Sequence, residues 1–306
     1  MSFEPGSFQS SEFHKAVTHL EKHKDLGAHL LARHAQKPPT VQAIVLLADH
    51  GIADTAYSRK SKNYTFAQTI AASEGSYGDL EGAETEPLFH DVAVDRYWPQ
   101  LDKVLNFKVA RGSNNFLNGN ALEPQRLLEA VNYGAAIVHE LEENTLLYLC
   151  DLGAGNDIAA EALLSSLGYD TGVFDTVNPS ELIDFRVKLG KVNIDPSHPF
   201  NYLERFGGYD TAVSFGILHK ALEKGMLTIV DGWAAFAAFA LSLKFQPSNR
   251  DHALLGSSFI GSTADAFIQQ CGLKALTSAT NDLDGGKQFL EIQRLVSSVW
   301  TLATNA

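Results

Sequence analysis

Apolar runs alternate with amphipathic stretches along most of the chain. "VQAIVLLADHG" (41–51) is a continuous apolar run, β-branched near its start, that closes on two polar residues and a glycine. That pattern predicts a buried parallel strand with polar chemistry at its carboxyl end. "NTLLYLCDLGAG" (144–155) and "MLTIVDG" (226–232) predict two more strands of the same kind, and "LDKVLNFKVARG" (101–112) offers another. "PQRLLEAVNYGAAIVHELEE" (124–143) is a clear amphipathic helix, and "DIAAEALLSSLG" (157–168), "GGYDTAVSFGILHKALEKG" (207–225) and "WAAFAAFALSLKF" (233–245) read as helices too. Strand and helix in alternation predict an α/β fold: a doubly wound, mostly parallel sheet with helices on both faces.

Both ends of the chain read as helical. Residues 11–36 place Phe13, Val17, Leu20, Leu26, Leu30 and Leu31 at mostly helical spacing before "KPP" stops the pattern. The tail from 287 carries Phe289, Leu290, Ile292, Leu295, Val296, Val299 and Trp300 on one stripe, which predicts packing back on the body. The Gly- and acid-rich stretch 73–86 reads as a surface loop. Five histidines crowd the first segment, but His19 and His23 lack the acidic neighbour of a zinc helix, so a solvated face is expected there and no metal site.

Composition narrows the class. With 306 residues, 45% of them hydrophobic and 20% charged, the chain has the balance of a folded globular protein. A formal charge of -12 argues against nucleic acid or an anionic membrane as the main partner. Only Cys150 and Cys271 occur, too few for a disulfide framework or a cysteine zinc site. Without a basic leader or a long apolar segment, the expectation is a cytoplasmic protein acting on small molecules.

Candidate chemistry gathers at three strand ends, each an apolar run broken by Asp and then Gly: "LADHG", "LCDLGAGND" and "IVDGW". Ligands of open parallel sheets bind at this edge, where turns expose amides and helix N-termini. Gly153 and Gly155 would let the backbone approach an anion or sugar, with Asp151 accepting from a heterocycle or ribose hydroxyl and Asn156 in the same turn. The plain alternative is a tight turn with Asn156 or Asp157 as helix cap. Asp49 and His50 suit a base with its orienting carboxylate, or a capping Asp beside a satisfied buried His. Gly207 and Gly208 of "FGGYD" present amides before a helix, and Asp284 of "NDLDGGKQFL" stands beside two glycines in what is also a common turn sequence.

Taken in order, these segments resemble the nicotinate-nucleotide:dimethylbenzimidazole phosphoribosyltransferases of cobalamin lower-ligand assembly, over about Val41 to Val299. The family shows a strand ending G-D-H-G-V, then G-T-x-N-F, the turn G-E-M-G-I-G-N-T-T before an Ala-rich helix, a G-G before a helix, and L-D-G-F after a strand. Here they read "LADHGIA", "RGSNNFLNG", "CDLGAGNDIAAEALL", "ERFGGYDTAVSFGIL" and "IVDGWAAFAAFAL". The resemblance implies displacement of nicotinate from nicotinate mononucleotide by a benzimidazole-type base, giving an α-riboside phosphate, with no metal or cofactor. It further implies a small helical domain from residues 1–40 with 287–306, an α/β nucleotide-binding domain over 41–286, and a homodimer.

The same resemblance assigns site residues and shows where this chain departs. Asp284 is the counterpart of a catalytic Glu in a C-terminal L-G-E-G-[ST]-G segment, one methylene shorter. Asp151 and Leu152 take the places of the Glu and Met of the central turn, and Asp231 that of the L-D-G-F aspartate. "AYSRKSKNYT" keeps Ser58 and Thr65 of a base-pocket segment, and "LLGSSFIGSTAD" keeps Ser258 while losing two histidines. A phosphate-binding Lys falls near "IDFRVKLGK", with Phe185 at its place and Arg186 or Lys188 beside it. Departures concentrated at the substrate site also fit a second class, an impaired homologue that binds nucleotide or base as a sensor or as the partner subunit of an active paralogue.

Overall fold

The computed structural model describes residues 22–77, 82–98, 100–169, 177–258, 263–277 and 288–305, together with Thr18 and Gly286. One sheet of six strands runs β3-β2-β1-β4-β5-β6: β1 Thr40–Ala48, β2 Leu88–Ala93, β3 Val104–Asn106, β4 Thr145–Leu152, β5 Thr228–Val230 and β6 Ala253–Leu255. Every neighbouring pair is parallel. The chain winds outward from β1 in one direction and from β4 in the other, so the winding reverses between these two central strands. This is the doubly wound α/β fold expected from the alternating pattern, and it puts a crevice at the carboxyl ends of β1 and β4.

Helices close both faces. In chain order they are α1 Lys24–His34, α2 Lys62–Glu74, α3 Pro124–His139, α4 Asn156–Ser166, α5 Leu182–Leu189, α6 Pro199–Phe206, α7 Tyr209–Glu223, α8 Trp233–Phe245, α9 Thr263–Gln270 and α10 Phe289–Asn305. The pleat sends alternate side chains to opposite faces. Ile44, Leu46, Ala48, Leu147, Leu149 and Val230 join the core formed with α3, α4, α7 and α8. Val41, Ala43, Val45, Leu47, Leu146, Tyr148, Cys150 and Ile229 join the other, with Leu26 and Leu30 of α1 and Phe289, Ile292, Val296 and Val299 of α10.

The two terminal helices thus pack on each other and on the sheet, and Trp300 Nε1 donates to the His34 carbonyl at 2.7 Å. His34, expected on a solvated face, is buried, with Nδ1 hydrogen-bonded to Asn144 Oδ1 at 2.9 Å. Three elements depart from the sequence expectation. The loop expected over 73–86 begins later, because α2 continues to Glu74 and Gly75, at φ 72°, ends it. Strand β2 carries His90 and Asp91 inside an otherwise apolar run, which hides it from a hydrophobicity pattern, and β6 is only 3 residues long.

Candidate active site

The carboxyl ends of β1 and β4 deliver their polar residues to two different faces. His50 and Asp151 continue the pleat of Leu46–Ala48 and Leu147–Leu149 toward α4, α7 and α8. Asp49 and Asp231 fall on the opposite side. The Asp-then-Gly pattern therefore marks the right edge, while strand parity decides which acids can meet.

On the first face, His50 Nε2 lies 3.0 Å from Asp210 Oδ2, with both side chains almost wholly buried at 1% and 0% exposure. The carboxylate that orients His50 is Asp210 of α7, not the adjacent Asp49. The His50 amide donates to the Ala154 carbonyl at 2.9 Å, tying β1 to the Gly153–Asn156 turn. Asp151 Oδ1 accepts from Asn156 Nδ2 at 2.8 Å and Oδ2 from the Ala235 amide at 3.1 Å, so this carboxylate meets the N-terminus of α8. Helices α4, α7 and α8 start from Gly155, Gly208 and Gly232, and side chains take amides in each first turn: Asp157 N donates to Asn156 Oδ1 at 2.8 Å, Thr211 N to Asp210 Oδ1 at 2.7 Å and Ala235 N to Asp151 Oδ2 at 3.1 Å. The amides of Gly207 and Gly208, expected to face a ligand, donate instead to the Leu203 carbonyl at 2.8 Å and to Thr211 Oγ1 at 3.3 Å.

Glycine is required by crowding at these turns. A Cβ on Gly153 would lie 1.8 Å from the Ala48 carbonyl oxygen, on Gly208 2.2 Å from His50 Cε1, and on Gly232 2.0 Å from Asp151 Oδ2. Gly155 has φ 79°, a left-handed conformation suited to glycine. Ala154 and Gly208, far apart in sequence, are both in contact with His50.

Asp49 works on the other face. Its Oδ2 accepts from the Asp95 amide at 2.8 Å, and it is hydrogen-bonded to the Thr65 hydroxyl, which in turn accepts from the Ala154 amide at 2.9 Å. Burial raises the Asp49 pKa above its ordinary value, against the pull of those bonds. Asp231 accepts from the Tyr148 hydroxyl and from Ser257 Oγ at 2.5 Å, and burial pushes its pKa up to about 6. For His50, burial alone would lower the pKa; the Asp210 charge and hydrogen bond, reinforced by Asp151 and Asp49, outweigh it and raise the value above 6.5.

The remaining candidates spread outward. Leu152 is wholly buried in the α1/α10 core. Ser58 Oγ donates to the Lys60 carbonyl at 2.8 Å, and Ser258 is half-buried just past β6. Phe185 of α5 is fully buried, its ring 5.3 Å from that of Tyr57. Lys188 Nζ reaches Asp184 Oδ2 at 2.8 Å and donates to the Tyr57 hydroxyl at 2.7 Å, so this cation is held toward the β1–α2 connection. Asp284 lies outside the described residues. Sequence reading missed Asp210 as a partner of His50; its only signal was a position in the first turn after the glycine pair. A cavity of about 540 Å³ lined by Lys22, Lys24, His29, Arg250 and Lys274 shares no residue with these turns.

Comparison with known proteins agrees with this architecture. A family model described as Phosphoribosyltransferase matches residues 13–298. Nicotinate-nucleotide–dimethylbenzimidazole phosphoribosyltransferase of Janthinobacterium sp. (strain Marseille) is 24% identical over 225 residues, 69% of this chain and 65% of that protein. The protein of the same name from Alkaliphilus metalliredigens (strain QYMF) is 26% identical over 255 residues, 77% of this chain and 72% of that one. This chain thus spans just under two thirds of the first relative's length. The fold is that of the crystal structure of nicotinate-nucleotide-dimethylbenzimidazole phosphoribosyltransferase from Thermus thermophilus, with a TM-score of 0.81, 21% identity and 96% of both chains covered. The chain belongs to the phosphoribosyltransferase family of these proteins, the nicotinate-nucleotide–dimethylbenzimidazole phosphoribosyltransferases, as a divergent member.

Proposed function

We propose that this protein transfers the phosphoribosyl group of nicotinate mononucleotide to a benzimidazole-type or related aromatic base, forming an α-riboside phosphate for a cobamide lower ligand. The observation that carries the reading is the meeting of the Gly153–Asn156 and Gly207–Gly208 turns on His50 at the carboxyl edge, where helix N-termini suit a ribose phosphate. The names borne by relatives of similar sequence support the same substrates. In the reaction a ring nitrogen of the incoming base bonds to the anomeric carbon, the bond from that carbon to the nicotinate nitrogen breaks, and the attacking base gives up its proton. Asp284 is proposed as the acceptor of that proton.

Nicotinate release from nicotinate mononucleotide, measured with a panel of benzimidazoles and phenols, tests the reading. Turnover with at least one base is expected, and D284N should cut kcat about a hundredfold or more while leaving the fold intact. No release with any base would overturn the reaction, and unchanged turnover in D284N would remove Asp284 from its role. A homodimer belongs to the same proposal, with sedimentation as its check.

A further inference from the structure

We infer that His50 is a positioning residue of the proposed site: paired with Asp210, it locks the Gly207–Gly208 turn and the start of α7 onto the Gly153–Asn156 turn. The inference rests on the functional reading just given, and its test separates the two.

His50 is bonded in two directions at once. Its main chain holds the β4–α4 turn through the 2.9 Å bond to the Ala154 carbonyl. Its ring holds α7 through the 3.0 Å bond to Asp210, a residue 160 positions away in the chain. The other oxygen of Asp210 accepts from the Thr211 amide at 2.7 Å, so the carboxylate is itself fixed in the first turn of α7. Gly208 fits against the ring so closely that an added Cβ would stand 2.2 Å from Cε1 and 2.7 Å from Nε2. Ring and turn are therefore mutually fitted, and moving either opens the distance between the N-termini of α4 and α7.

Charge makes the clamp pH-dependent. Three carboxylates act on the ring, Asp210 from α7, Asp151 near the end of β4 and Asp49 just beyond β1, and together they favour the imidazolium despite burial. An imidazolium donates from both nitrogens. Nε2 serves Asp210, while buried Nδ1 has no hydrogen-bond partner among the described residues. Because the folded pKa is raised, the stabilisation is complete below about pH 6.5, the ordinary His value, and is lost as pH rises through the elevated one.

The test follows the Ala154 and Gly208 amides and the His50 ring by NMR across pH, beside calorimetric titration with nicotinate mononucleotide, in wild type, H50N, H50Q and D210N. In the wild type both amides are expected to shift with the midpoint of the His50 ring. H50N, whose amide is too short to reach Asp210, should abolish that shared titration and weaken nucleotide binding about tenfold to a hundredfold at pH 6. H50Q, which keeps a neutral donor near the Nε2 position, should recover part of the affinity without the pH dependence. D210N should lower the His50 midpoint and uncouple the Gly208 amide, and it carries the comparison should H50N fail to fold. Amides indifferent to His50 titration and to D210N, or equal affinity in wild type, H50Q and D210N, would overturn the inference. Shared titration in a wild-type protein that binds no nicotinate mononucleotide would support the positioning and count against the substrate.

Discussion

Single glycines carry much of the site, because of what stands opposite them rather than because turns favour them. Gly153 faces a carbonyl of the central strand β1, which cannot swing aside. G153A is expected to cost about 3 kcal/mol or more in urea unfolding. Gly208 faces the ring of His50, which can turn at the expense of its bond to Asp210. Asp231 gives a different readout. Its pKa of about 6 lies above the ordinary carboxyl value, so the fold is favoured while the group is protonated and loses that stability as pH rises from about 4 to 6. The expected loss is on the order of 3 kcal/mol, and thermal unfolding of D231N across that window should lack the slope. A wild-type curve flat between those pH values would contradict the assignment. At this scale the sequence pointed to the right strand ends, since an apolar run broken by Asp and Gly survives any fold. It could not pair the acids. Strand parity sends Asp49 and Asp231 one way and His50 and Asp151 the other, and the partner of His50 is supplied by a helix that begins 159 residues later.

Among elements, the tightest crossing is that of α3 and α7 over the face that holds His50. Gly134 and Gly216 let the two backbones approach: a Cβ on Gly134 would lie 2.0 Å from the Val213 carbonyl oxygen, and one on Gly216 2.0 Å from that of Val131. G134A and G216A should each destabilise by about 2 kcal/mol or more, and the double variant should lose less than the sum, because the first substitution already separates the helices. Full additivity in chemical unfolding would show that the two sites do not share one contact. The amphipathic period of α3 was legible from apolar spacing alone, whereas α8 is buried on every side from Trp233 to Ser242 and shows no such period. Strand β2 was not, because buried Asp91 is neutralised by Lys108 Nζ at 2.7 Å, a tertiary contact that no local pattern records. Short β6 has too few residues for any period.

For the molecule as a whole, winding order does what no single motif can. Reversal of the strand order between β1 and β4 brings the turns after both strands to one crevice, and α7 inserts a third between them. The order of loose motifs along the chain was therefore more informative than any one of them, and the doubly wound sheet follows from that order. What the sequence held back was the relation of the pieces: a His clamped by a remote Asp, and Asp151 turned to meet the N-terminus of α8. On the function proposed above, these turns form one seat for a ribose phosphate. That seat is tested most directly by titrating the 33.3 kDa protein with nicotinate mononucleotide while following backbone amide shifts. Gly153 to Asn156 and Gly207 to Gly208 should move together with a single Kd; movement of one turn alone, or shifts confined to the basic cavity at Lys22, Arg250 and Lys274, would contradict it.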